Sequence, residues 1–130
     1  MLQVNSIDHI VLTVKDIEKS VTFYTSVLGM KMKMFGQERV ALFFGNQKIN
    51  LHKTGEEVSP HAQQPVSGSA DICLLTNTPL EIAMNEVESH HVKILKGLVK
   101  RSGARGEIHS FYIRDPDGNL IEIANSLTPN

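Results

Sequence analysis

His9, His52, Asp71 and Glu122 each lie in a short apolar run in which neighbouring side chains alternate in character. Side chains of a strand alternate between its two faces, so parity separates what points into a core from what points away. In IDHIVLTV, residues 7–14, Ile10, Leu12 and Val14 form a core-facing set and send His9, Val11 and Thr13 to the other side. Ile49 and Leu51 do the same for Asn50 and His52, Ile72 and Leu74 for Asp71 and Cys73, and Ile121 and Ile123 for Leu120, Glu122 and Ala124. Two imidazoles and two carboxylates suit a borderline divalent cation, Mn²⁺, Fe²⁺, Co²⁺, Ni²⁺ or Zn²⁺, with positions left for water or substrate. His9 and His52 with one carboxylate also match the two-histidine, one-carboxylate pattern of non-haem iron. Glu122 carries the strongest argument, since a carboxylate between two isoleucines is costly to bury without a cation or donor. Taken singly, each residue also has a structural reading: a hydrogen-bonded strand histidine, an aspartate opening a strand, a glutamate on an edge strand in water.

The elements that must position these groups come in two copies. After the first strand, Asp16 caps a helix whose apolar positions Ile17, Val21, Tyr24 and Leu28 recur at helical spacing until Gly29 ends it. Strands follow at about 30–35, 39–44 and 47–53, separated by turns at Gly36 and Gly45-Asn46. Residues 55–69, rich in Gly and Pro, read as a connector. The pattern then restarts, with a strand at 70–76, a helix from Pro79 to about Val92, and strands at about 94–100, 108–114 and 119–124. The fold class is α+β: two tandem βαβββ modules, about 6–54 and 70–126, forming a cupped mixed sheet with helices outside, within one domain over 1–130. In this repeat His9 matches Asp71 and His52 matches Glu122, so a pseudo-twofold would gather all four.

Composition narrows the partners. In 130 residues, 13 Lys and Arg stand against 14 Asp and Glu, which leaves no field to collect nucleic acid or anionic lipid. No apolar run reaches the ~20 residues that span a bilayer, and the start of the chain has no signal-peptide pattern, so a cytoplasmic location is expected. Cys73 is the only cysteine, which excludes an intrachain disulfide. Asn50, Arg101 and Tyr112 are weaker candidates for substrate contact. The stretch 100–106, with two glycines and three cations, reads either as a mobile anion-attracting lid or as a solvated hairpin loop. His90 and His91 close the second helix, where cationic groups suit its carboxyl-terminal dipole, and His61 and His109 have no partner that spacing can name.

The motifs DHIVLTV, FYTSVLGM, NLH and FYIRDPDGNLIEI, in this order, resemble the vicinal oxygen chelate superfamily of glyoxalases, bleomycin-resistance proteins and extradiol dioxygenases. The resemblance covers about 6–126 and is nearest to glyoxalase-domain-containing proteins. It implies metal ligands from the first, fourth, fifth and eighth strands, here His9, His52, Asp71 and Glu122, and a small oxygenated substrate chelated to the cation as a Lewis acid. Glu122 then serves as general base or as an anionic ligand. Metal-bearing relatives generally carry His at the fifth-strand position, where this chain has Asp71. Glyoxalase I often has Glu at the fourth-strand position, here His52. The alternative is a metal-free protein that sequesters a drug or metabolite, as some relatives do. The resemblance also implies a homodimer.

Overall fold

The structure, a computed structural model, describes residues 1–128. The chain divides into two compact units, Met1–Ser67 and Gly68–Asn130, and the boundary falls inside the connector. Each holds a four-stranded mixed sheet, so the α+β class and the doubled βαβββ order are observed.

In the first unit β1 (His9–Val14) lies parallel to β4 (Gln47–Lys53), and β3 (Arg39–Phe44) and β2 (Lys31–Phe35) continue the sheet antiparallel in the order β1-β4-β3-β2. Leu12, Val14, Leu42, Ile49 and Leu51 are buried, as parity requires. Helix α1 (Ile17–Thr22) packs near β4 and is capped by Asp16, whose Oδ1 accepts from the Lys19 amide at 3.1 Å. The single long helix expected up to Leu28 is corrected: Phe23–Val27 form a π-helical turn, ended by Gly29 at φ 72°. Phe23 and Tyr24 are neighbours in sequence yet both buried, their rings edge to face at 5.0 Å. The wider turn lets two consecutive aromatic residues enter one core.

The second unit repeats this order. Strand β5 (Asp71–Leu75) lies parallel to β8 (Leu120–Ser126), followed by β7 (Gly106–Arg114) and β6 (Lys96–Gly103). Helix α2 (Leu80–Ser89) packs near β7 and β8, over a core with Phe111, Ile113, Ile121 and Ile123. Of the two readings of 100–106, the structure shows the hairpin and not the lid. The segment is paired strand on both sides down to Gly103 and Gly106, closed by Ala104-Arg105. Cross-strand hydrogen bonds outweigh the flexibility that its two glycines suggest.

The turn DPDGN is a hydrogen-bonded clamp. Asp115, 5% exposed, accepts from the Asp117 and Asn119 amides at 2.9 and 3.0 Å and from Asn119 Nδ2 at 2.8 Å. Asn119 Oδ1 in turn accepts from the Ala70 amide at 2.8 Å, which ties the entry of β5 to the start of β8. Gly68 passes so close that a Cβ would sit 2.6 Å from the Asp117 carbonyl oxygen, at φ +83°. No helix among the described residues is long and apolar enough to cross a membrane.

Candidate functional site

The second unit brings four of the expected residues together. Register places Cys73 beside Glu122, Glu122 beside Tyr112 and Tyr112 beside Lys96, one row across all four strands. Asp71 stands on the same face of β5, two residues before Cys73. A cavity of about 400 Å³ opens here, lined by Asp71, Leu95, Lys96, Arg101, Tyr112, Leu120 and Glu122. Arg101 Nε donates to the Tyr112 hydroxyl at 2.9 Å, and its guanidinium carbon lies 5.5 Å from that ring's centroid. Accepting from a cation polarises the phenol, making its own proton a stronger donor.

Glu122 is half-buried and its Oε2 is buried without a hydrogen-bond partner. The Cys73 thiol is raised to about 11 by desolvation first, then by the Glu122 and Asp71 charges and a hydrogen bond with Glu122. The thiol therefore stays protonated beside the carboxylate. Arg114, on the same face by register, donates to the Gly118 carbonyl at 3.2 Å and stabilises the turn.

The first unit holds the remaining candidates: His9, Asn50 and His52. His9 Nδ1 lies 2.8 Å from Asp8 Oδ1, which directs Nε2 outward in the way carboxylates orient metal-binding imidazoles. The β1–β4 register pairs His9 with Lys48, Val11 with Asn50 and Thr13 with His52. His52 thus lies four residues along the ladder from His9, roughly 13 Å at about 3.3 Å per residue. Two imidazoles rising from one sheet face at that separation do not meet around a cation with bonds of about 2.1 Å.

The correspondence between His52 and Glu122 is corrected accordingly. Two residues after Asp71 comes Cys73, partnered by Glu122; two residues after His9 comes Val11, partnered by Asn50. The counterpart of Glu122 is Asn50, whose Oδ1 is buried and unpartnered, and the counterpart of His52 is Ala124. His52 has a different neighbour. Burial lowers its pKa, the Arg39 guanidinium lowers it further, His61 adds to this and Glu57 opposes it. A cation already beside this ring disfavours a metal ion there. Among the described residues, no group of three His, Cys, Asp or Glu side chains converges as a metal cluster.

Sequence reasoning missed Arg39, Lys96 and Leu95, whereas parity already placed Leu120 on the face of Glu122. Parity in RVALFF would have put Arg39 with Ala41 and Phe43, away from buried Leu42 and toward the face of His52.

Comparison with known proteins follows from this geometry. The family model of the Glyoxalase/Bleomycin resistance protein/Dioxygenase superfamily matches residues 6–123. Virulence protein STM3117 of Salmonella typhimurium is 51% identical over 121 residues, covering 93% of this chain and 84% of that protein. Glyoxalase domain-containing protein RDO1 of Mycosarcoma maydis is 47% identical over 124 residues, 95% of this chain and 70% of its own. An integron cassette protein from the mobile metagenome of Vibrio cholerae is 54% identical and superposes with a TM-score of 0.94, over 96% of this chain and 98% of that one.

Proposed function

We propose, on the premise that the chain belongs to the Glyoxalase/Bleomycin resistance protein/Dioxygenase superfamily, that it is a metal-dependent enzyme acting on a small oxygenated molecule. The observation that carries this reading is Glu122: a carboxylate oxygen buried without a partner, in a cavity whose other walls supply Tyr112 and Arg101.

The donors we assign to a divalent cation in the second unit are Asp71 and Glu122, which share one face of its sheet. Their chemistry fits. Glu122 Oε2 is an orphaned acceptor, and Asp71 adds a second carboxylate lining the same cavity. Such a cation, when bound, supplies Lewis acidity toward adjacent substrate oxygens.

The chain's own groups do the rest. Glu122 serves either as an anionic ligand or, where its Oε2 is not given to a cation, as the general base that takes a proton from substrate. The Tyr112 hydroxyl, accepting from Arg101, turns its proton toward an oxygen that gains negative charge. Leu95 and Leu120 add apolar surface to the cavity. Lys96 and Arg101, which line the same cavity, supply positive charge for an anionic part of the substrate.

The test is metal analysis of protein purified without chelator, with titration of Mn²⁺, Co²⁺, Ni²⁺ and Zn²⁺ into the stripped chain. Wild type is expected to retain a stoichiometric cation, and Glu122→Ala to bind it at least tenfold more weakly. Only a trace of metal, equal in both proteins, overturns the enzyme reading in favour of a metal-free small-molecule binder. We further propose that two copies associate: β1 and β5 are sheet edges, and Val11 and Leu75 on them are 45% and 64% exposed. Light scattering that gives a monomer mass refutes this.

A further inference from the structure

We propose that the first unit carries an oxyanion-binding site of its own, formed by Arg39, Lys48 and His52, which takes the carboxylate or phosphoryl group of a small organic acid. These side chains share the sheet face opposite the buried Leu42, Ile49 and Leu51. Register pairs Phe35 with Arg39 and Phe43 with Lys48, and one step beyond the Val40–Leu51 pair it sets Arg39 opposite His52. The strand residues of this face comprise Lys31, Lys33, Arg39 and Lys48 together with both histidines, and no acid stands among them.

Two observations point to an anion. Arg39 and Lys48 converge on one ring: the guanidinium carbon lies 4.6 Å and the ammonium 4.1 Å from the Phe35 centroid. Two cations drawn to one aromatic ring attract an anion more strongly than either does alone. His52, moreover, is 6% exposed, and both of its ring nitrogens, like Arg39 Nε, are buried with no hydrogen-bond partner. Buried N–H groups are nearly always satisfied, so an unpartnered cluster of them marks the place of an acceptor that comes from outside. A neutral imidazole there offers one N–H in addition to those of the guanidinium. Phe35 and Phe43 present flat apolar surface next to the cations, which fits an organic acid with an apolar body.

This site does not rest on the metal reading. It is tested in EDTA, so either can fail without the other. The probes are inorganic phosphate and benzoate, titrated into the full chain at constant ionic strength with chloride as reference and followed by amide NMR shifts. Saturable shifts at residues 39–40 and 48–52 are expected with at least one probe: benzoate alone assigns a carboxylate, phosphate alone a phosphoryl group. Arg39→Met and Lys48→Met are expected to weaken binding at least tenfold, and Lys53→Met, whose ammonium lies by Glu56, to leave it unchanged. Arg39→Lys keeps the charge and the fold but lacks the Nε donor, and is expected to weaken binding about threefold. A response no different from that of chloride overturns the proposal. So does unchanged affinity in a folded Arg39→Lys and Arg39→Met pair.

Discussion

Removing the Asn119 side chain, in Asn119→Ala, breaks the clamp that joins the edge strand β5 to β8 in the second sheet. Two hydrogen bonds go: Nδ2 to the Asp115 carboxylate and the Ala70 amide to Oδ1, each 2.8 Å long. The first is charge-assisted, about 1.5–3 kcal/mol, and the second about 0.5–1.5 kcal/mol. Asn119 is 1% exposed, so water does not replace the lost side chain easily. The expected loss is about 2–4 kcal/mol, or a fall in Tm of about 8–16 °C for a chain of this size. Chemical denaturation and a thermal melt measure both. The clamp also holds Ala70 next to Asp71, so the variant is expected to weaken metal binding in protein that is still folded. A stability change below about 0.5 kcal/mol would show that the clamp is not a stabilising element, and refute the reasoning.

Other expectations follow from the same geometry. Alkylation of Cys73 should rise with pH toward a midpoint near 11, and Glu122→Gln should lower that midpoint; a rate profile centred in the ordinary thiol range in wild type contradicts the Cys73–Glu122 contact. Because the folded state raises this thiol, its contribution to stability is complete below the ordinary thiol range and lost as pH rises through about 11, a loss that Cys73→Ser abolishes. His52 has the opposite sign: its folded pKa is lowered, so stability present above its ordinary value of 6.5 is lost as pH falls below that value. Urea melts at several pH values should show this in wild type and a flatter profile in His52→Gln. Gly68→Ala should destabilise by about 1–3 kcal/mol, since its φ of +83° and the 2.6 Å approach to the Asp117 carbonyl both oppose a Cβ; a neutral result in a denaturation series would contradict the close approach.

Much of the fold was legible. Alternation in IDHIVLTV and NLIEIA marks strands because a half-buried strand exposes every second residue, and Asp16 with Gly29 marks the ends of a helical segment because only such residues satisfy its termini. The π turn was not legible, since it answers to Phe23 and Tyr24 packing into the same core rather than to any local preference. Composition left 100–106 open between a lid and a hairpin, and pairing with the neighbouring strand decided for the hairpin over the looseness of Gly103 and Gly106.

The sequence by itself determined which residues share a face: His9 with Asn50 and His52, Asp71 with Cys73, Leu120 with Glu122. Side chains alternate with a period of two, and that rule needs no partner strand. Only the tertiary structure decided register, which sets Asn50 rather than His52 at the counterpart of Glu122, sets Cys73 and Tyr112 beside that carboxylate, and brings Arg39 opposite His52. Sliding a strand by two residues leaves every side chain on its own face while moving it about 7 Å along the ladder. Parity is blind to that slide, and hydrogen bonds to strands distant in sequence are what fix it.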